Sequence, residues 1–511
     1  MAFGTPVVCA AEKPREETRD TWLESGRKRV AEIKAQKVEP GPAKNVILFV
    51  GDGMGITTVT AARILEGQNK GLSGEENQLS FETFSHSALS KTYSTNQQVS
   101  DSAPTMTAII TGVKTGSGMI SVDQRVPRGD YTAVPGMELE SLLVTAEKRG
   151  LSTGVVTTTS VTNATPASCY ANSPERDWDD DSRLTPAARK AGFPDIARQL
   201  IEFPHGDGLD VALGGGRQHF LPATEKDLEY QDQHGARLDG RNLVEEWRKK
   251  NAGGEFVWTA EQLAKVDVEK TRRLFGLFEP EHMNYHAELK KKETRDPALE
   301  DMTRKAIEIL SKNEKGFFLV VEGGRVDHAN HAGNAFRALT ETIALSDAVR
   351  VAREMTGRDT LIVVTADHSH VLTMSGYPGR GNPILGLVRG PNNQGRVSSR
   401  PTLDLLDRPY TTLSYANGPG YVGKSDSQPE GAKKFPHKPG EVSPPVNGRP
   451  LLTDEIVNDP DYLQEAMIPL GSETHAGEDV PVFADGPGSQ YFRGVIEQNV
   501  IYHLMRDAYG W

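Results

Sequence analysis

Cysteine is nearly missing: Cys9 and Cys169 are the only two in 511 residues, so no disulfide framework supports the fold. Long apolar runs are missing too. The longest, at 46–50 and 317–321, reach about a quarter of the ~20 residues that a membrane-spanning helix needs. There is no long lysine or arginine tract, and 58 Lys+Arg against 70 Asp+Glu leave a net charge of −12. That balance excludes nucleic acid or an anionic membrane as the main partner. No internal repeat or collagen-like glycine period occurs, and 37% hydrophobic with 25% charged residues excludes wholesale disorder. What remains is a globular chain of several domains, or one large α/β unit carrying insertions.

The first ten residues are mildly apolar, and Val8-Cys9-Ala10 before Ala11-Glu12 has the small-residue pattern of a signal-peptidase site. Residues 1–10 are therefore expected to be a signal-peptide remnant, which predicts a periplasmic or secreted protein. A charged stretch at 16–37 with a sparse apolar stripe predicts a helix, within an arm at 11–40 that ends at Pro40-Gly41-Pro42. From 41 to 511, short β-branched runs at 46–50, 153–157, 210–213, 317–321 and 361–364 alternate with helical patterns at 56–65, 138–149, 297–311, 335–356 and 490–507. Continuous apolar strands separated by helices predict an α/β fold with a mostly parallel central sheet and helices on both faces. Between about 373 and 472 glycine, proline and polar residues dominate. This reads as an insertion over the working edge of the sheet, with a strand at 410–415 and mobility around 423–447.

Chemistry-bearing residues gather where strands end. The run 46–50 leads into Gly51-Asp52-Gly53-Met54-Gly55, placing a carboxylate at a strand's carboxyl end, where α/β sheets bind ligands. A tight turn with Asp52 as helix cap is the plain alternative. The dinucleotide fingerprint G-x-G-x-x-G is incomplete here. The run 317–321 leads into Glu322-Gly323-Gly324-Arg325-Val326-Asp327-His328-Ala329-Asn330-His331. One helical turn puts Asp327 and His331 on the same face, a zinc-gripping arrangement, while His328 points elsewhere. The run 361–364 leads into Asp367-His368-Ser369-His370. Imidazole with carboxylate ligands suits zinc, and carboxylate with hydroxyl oxygens suits magnesium. Paired divalent ions form a clamp for in-line displacement at phosphorus, which points to phosphoryl transfer. Ser102, in Asp101-Ser102-Ala103-Pro104-Thr105, is either a nucleophile activated by metal or an ordinary helix N-cap.

These motifs, with Thr165-Pro166-Ala167 and Glu473-Thr474-His475-Ala476-Gly477-Glu478-Asp479 following in order, resemble the alkaline phosphatase family, from about residue 44 to the C-terminus. Leu238-Asp239-Gly240-Arg241-Asn242-Leu243-Val244 and Gly276-Leu277-Phe278-Glu279-Pro280 look closer to its animal branch than to the compact enteric bacterial one. The resemblance implies one zinc on Asp327, His331 and His475, and a second on Asp52, Asp367, His368 and the Ser102 oxygen. It implies magnesium on Asp52, Thr165 and Glu322, and Arg176 as the phosphate-gripping arginine. A calcium site is implied at Glu229, the Phe278 carbonyl, Glu279 and Asp296. Asn163 departs from the Asp or His usual near the magnesium, and both Asn163 and His328 are implied to stand just behind the metal ligands. Three divalent ions bring six positive charges against four from Asp52, Glu322, Asp327 and Asp367, so a phosphate dianion is drawn in despite the acidic whole.

The function implied is a phosphomonoesterase working through a phosphoserine on Ser102, with small phosphate monoesters and inorganic phosphate as partners. Family analogy also implies a homodimer. The rivals are a phosphodiesterase or sulfatase on the same scaffold, or a metal-dependent phosphate-binding protein without turnover. Ser102 disfavours the first pair, since the resembling sulfatases use a modified cysteine and the diesterases usually threonine.

Overall fold

The computed structural model describes residues 19–35, 41–289, 294–424, 430–435 and 448–511. At its centre the strand Asn45–Gly51 is buried along its whole length, because it pairs in parallel with Phe317–Gly323 on one side and Thr360–Thr365 on the other. Its side chains alternate between two cores. Val46, Leu48 and Val50 pack with Met106, Leu143, Leu200 and Ile501 on one face. Ile47 and Phe49 pack with Ile64, Leu310, Leu339 and Leu345 on the other. Helices thus cover both faces: Ser102–Thr111, Leu142–Lys148, Ile196–Glu202 and Val500–Ala508 one, Ile56–Asn69, Leu299–Leu310 and Ala335–Met355 the other.

The full sheet has ten strands in the order Gly494–Glu497, His86–Lys91, Val480–Asp485, Thr360–Thr365, Asn45–Gly51, Phe317–Gly323, Ser152–Ser160, Val211–Gly215, Leu274–Leu277 and Glu255–Val257. All neighbours run parallel except Val480–Asp485, which is antiparallel to both its partners. The expected α/β class and all five expected strands are present. Five further strands of this sheet were not anticipated, three at one side and two at the other. His86–Lys91, for instance, has partly exposed positions and lacks the apolar run that marks a central strand.

Several boundaries differ from expectation for local reasons. The helical pattern at 490–507 is instead the edge strand Gly494–Glu497, preceded by a 3-10 turn and followed by the helix Val500–Ala508. Pairing of that strand with His86–Lys91 overrides local propensity. The helix expected at 138–149 begins only at Leu142, since Ser141 caps it by accepting from Val144 N. The strand expected at 410–415 lies three residues later, at Leu413–Gly418. It joins Leu372–Met374 and Ala466–Pro469 in a separate three-stranded sheet, whose Leu372, Leu413, Tyr415 and Ala466 pack into the same core as Ile47 and Phe49. Near the N-terminus a helix spans Arg19–Ala35. The signal-peptide reading of 1–10 lies outside the described residues, as do 425–429 and 436–447, where most of the expected mobility falls.

Candidate active site

The carboxyl ends of the strands Asn45–Gly51, Ser152–Ser160, Phe317–Gly323 and Thr360–Thr365 meet at one place, and each delivers a polar residue to it. The turn after the first strand carries Asp52, which is 4% exposed. It is not a helix cap: the next helix begins at Ile56 with Gly55 in that position. Gly53 has φ +67°, and a Cβ there would stand 2.3 Å from His370 Nε2, so glycine is needed for this turn to pass the imidazole.

Ser102 is the first residue of its helix, and the cap is Asp101, whose Oδ1 accepts from Ala103 N at 3.1 Å. The serine hydroxyl is thereby freed. Its Oγ lies 3.1 Å from His368 Nε2 and 3.3 Å from Asp52 Oδ1. His368 Nε2 in turn lies 3.3 Å from both Asp52 Oδ1 and Asp367 Oδ2. Tetrahedral donors with bonds of about 2.0–2.1 Å stand about 3.3 Å apart. These four separations match the donor spacing of a zinc coordination shell, and one ligand atom each from Asp52, Asp367 and His368 lie within 4.8 Å of one another. Asp367 is held by Gly53 N at 3.0 Å, Thr105 Oγ1 at 3.1 Å and, through its carbonyl, Gln498 Nε2 at 2.7 Å.

Asp327 and His331 lie one turn apart on the helix Arg325–His331, with His331 Nε2 3.4 Å from Asp327 Oδ2. His475 reaches them because the two-residue strand His475–Ala476 pairs antiparallel with Ser369–His370. His475 Nε2 stands 3.3 Å from Asp327 Oδ1 and 3.0 Å from His331 Nε2. Both histidines donate Nδ1–H to carbonyls, His331 to Glu473 at 2.5 Å and His475 to Ser100 at 2.7 Å. In the neutral rings the two Nε2 lone pairs then face each other, an arrangement that a cation between them resolves.

Glu322 Oε2 accepts from Thr159 Oγ1 at 3.1 Å and also from Thr157 Oγ1. Glu322 Oε1 and the Thr165 hydroxyl are buried and, among the described residues, have no hydrogen-bond partner of normal geometry. Two such oxygens near Asp52 suit a hard cation. The electrostatics agree. Burial first, then Asp367, Asp327 and Glu322, raise the Asp52 pKa well above the ordinary range. Burial chiefly pushes Glu322 up to about 7. Carboxylates packed this closely need positive charge to stay ionised together.

Arg176 Nη1 donates to Asp101 Oδ1 at 3.2 Å. Burial would raise the Asp101 pKa, but Arg176, Ser117 Oγ and the backbone N–H groups of Ala103 and Gly118 hold it below the ordinary range. The same aspartate thus caps the serine's helix and fixes the arginine. Asn163 caps the short helix Ala164–Ala167 by accepting from Ala164 N at 2.7 Å. His328 points away from Asp327: its Nδ1 is 2.8 Å from Arg325 Nη1 and its ring packs on His282.

The set Glu229, Phe278, Glu279 and Asp296 forms a separate acidic locus. Asn284 Nδ2 donates to Glu279 Oε1 at 2.7 Å and to Asp296 Oδ2 at 3.1 Å. Among the described residues, Glu229 Oε2 and Asp296 Oδ1 are buried without a hydrogen-bond partner, with Arg217 Nη2 3.9 Å from the former. Burial, then Asp296, pushes Glu279 up to about 8.

Sequence reasoning missed two residues at the centre. His370 donates Nε2–H to Asp327 Oδ1 at 2.7 Å and Nδ1–H to Glu473 Oε2 at 2.5 Å. Both residues stand within motifs already singled out, Asp367-His368-Ser369-His370 and Glu473-Thr474-His475. The only signal in the sequence was their position next to expected ligands, since residues beside metal ligands often support them.

Comparison with known proteins gives one answer. Residues 43–510 match the family model described as alkaline phosphatase. The chain is 44% identical to the alkaline phosphatase of Gadus morhua over 483 residues, 93% of this chain and 94% of that protein. It is 42% identical to the tissue-nonspecific isozyme of Gallus gallus over 504 residues, 97% of this chain and 90% of that protein. Among solved structures, the alkaline phosphatase of Thermus thermophilus aligns with a TM-score of 0.62 at 23% identity, covering 94% of this chain and 93% of that one. The enzyme from the Antarctic bacterium TAB5 aligns at 0.57 and 22% identity, covering 93% and 99%.

Proposed function

The chain belongs to the alkaline phosphatase family, and on that premise we propose that its metal-dependent hydrolysis of phosphate monoesters proceeds through Ser102. The observation that carries this is the placement of Ser102 Oγ against His368 and Asp52 while Asp101 takes over helix capping. Zinc held by Asp327, His331 and His475, zinc held by Asp52, Asp367, His368 and Ser102, and magnesium held by Asp52, Thr165 and Glu322 would supply Lewis acidity at the attacking and leaving oxygens. Ser102 Oγ forms the new bond to phosphorus as the ester P–O bond breaks and the alcohol leaves. Water then cleaves the phosphoserine, releasing inorganic phosphate and restoring the hydroxyl. Arg176, oriented by Asp101, holds the equatorial phosphoryl oxygens. The start of the Ser102–Thr111 helix adds its positive dipole end.

Calcium at Glu229, the Phe278 carbonyl, Glu279 and Asp296 belongs to the same proposal, as does Asn163 acting on the magnesium site through water. It takes 11–40 as an arm on an α/β domain at 41–511, with the insertion at about 373–472. Export of the chain is supported by the pattern in residues 1–10. A homodimer is supported by family analogy and by the exposure of Leu23 and Val30 on the Arg19–Ala35 helix. No helix among the described residues is long and apolar enough to cross a membrane.

The test is p-nitrophenyl phosphate hydrolysis before and after chelation. Activity should vanish with chelator and return only when zinc and magnesium are both restored. Turnover that survives complete metal removal would refute the reading.

A further inference from the structure

Glu473 is 1% exposed and contacts the metal centre by two routes. Its Oε2 accepts from His370 Nδ1 at 2.5 Å, and His370 Nε2 donates to Asp327 Oδ1 at 2.7 Å. That makes a buried carboxylate–imidazole–carboxylate chain ending on a ligand oxygen. Its backbone carbonyl accepts from His331 Nδ1 at 2.5 Å, and its N–H donates to the His331 carbonyl at 2.9 Å. One residue therefore orients both the carboxylate and an imidazole of the same site, and it stands two positions before the third ligand, His475.

The segment is fixed from the insertion side. Asn417 and Thr474 exchange two hydrogen bonds, at 2.9 and 3.0 Å. Gly418, at φ +132°, passes so close that a Cβ there would lie 3.0 Å from Glu473 Cβ. Tyr415 OH donates to Asn330 Oδ1 at 2.7 Å, inside the helix that carries Asp327 and His331. Val371 N supplies the second bond to the Glu473 carboxylate, at 2.8 Å. The small sheet of the insertion is thus joined to the ligands through this one side chain and its neighbours.

We propose that Glu473 is a positioning residue for the metal site of Asp327, His331 and His475, acting on Asp327 through His370. This rests on the assignment of those three residues as zinc ligands. Outer partners of this kind typically set metal affinity by 10- to 100-fold.

The test measures zinc affinity by chelator competition in Glu473→Ala, Glu473→Gln, His370→Ala, the Glu473→Ala/His370→Ala double variant and His475→Ala. Glu473→Ala should weaken zinc at this site by about tenfold or more while the second zinc stays bound. Its activity should recover as free zinc is raised. Glu473→Gln keeps the shape and one acceptor, and should fall between Ala and wild type. The double variant should bind no more weakly than the weaker single variant, since both act on one chain of contacts. Wild-type affinity in both Glu473 variants, or additive losses in the double variant, would overturn the inference. If His475→Ala also keeps all its zinc, the ligand assignment itself falls. If His475→Ala loses zinc while the Glu473 variants do not, only the positioning role falls.

Discussion

Replacing Arg176 by alanine separates phosphate recognition from metal binding. The guanidinium bonds Asp101 Oδ1 at 3.2 Å. Asp101 keeps three other donors in its absence: Ala103 N at 3.1 Å, Ser117 Oγ at 3.0 Å and Gly118 N at 3.0 Å. The helix cap beneath Ser102 should therefore survive, and the arginine's ion pair is with Asp101 rather than with Asp52, Asp367 or His368. What is lost is a charge-assisted contact to the phosphoryl oxygens, about 2–3 kcal/mol, or roughly 30- to 150-fold in phosphate affinity. Inorganic phosphate inhibition of p-nitrophenyl phosphate hydrolysis reads this directly, with metal content checked in parallel. Arg176→Lys should recover only part, because an ammonium keeps the charge without the planar fork. An inhibition constant within about twofold of wild type, with metals intact, would refute the clamp assignment, since that contact is worth well over tenfold.

Two further predictions concern charge. Glu147 is 2% exposed, and burial chiefly pushes its pKa up to about 8. A carboxyl raised in the fold stabilises it fully only below the ordinary carboxylate pKa, and the fold loses stability as pH rises from there to about 8. Glu147→Gln should thus flatten the pH dependence, adding at most about 5 kcal/mol at pH 9 and little at pH 4; unfolding midpoints across pH that track wild type would contradict this. At the acidic locus, burial and Asp296 raise Glu279 to about 8, so above that pH the cation-free carboxylates repel. Added calcium should raise the melting temperature more at pH 9 than at pH 6, and a melting temperature indifferent to calcium at pH 9 would remove calcium from the account.

The buried centre of the fold was readable because parallel strands covered on both faces leave unbroken apolar runs, as in 46–50 and 317–321. The edges were not. The edge strand Gly494–Glu497 forms by pairing with His86–Lys91, which is itself held between it and Val480–Asp485, and local pattern encodes neither pairing. Of the proposed ligands, Asp52, Glu322, Asp327, Asp367 and His368 were legible because they stand at the ends of the central strands or within a few residues after them. Whether Ser102 caps a helix or faces the site was open in sequence, and it is decided by Asp101 taking the cap. His370 and Glu473 were named only as parts of motifs. Their role depends on the return of the chain after the insertion, through the pairing of His475 with His370, a contact spanning 105 positions that spacing alone cannot specify.

The central claim, that Ser102 carries the phosphoryl group, is tested most directly by trapping. The metal-loaded protein is incubated with p-nitrophenyl phosphate or inorganic phosphate, quenched in acid, digested and examined by mass spectrometry. The account predicts one phosphoryl group on the peptide containing Ser102, none in Ser102→Ala, and loss of steady-state activity by several orders of magnitude in that variant. An active wild-type enzyme with no label at Ser102, or a Ser102→Ala variant keeping more than about a tenth of the rate, would contradict it.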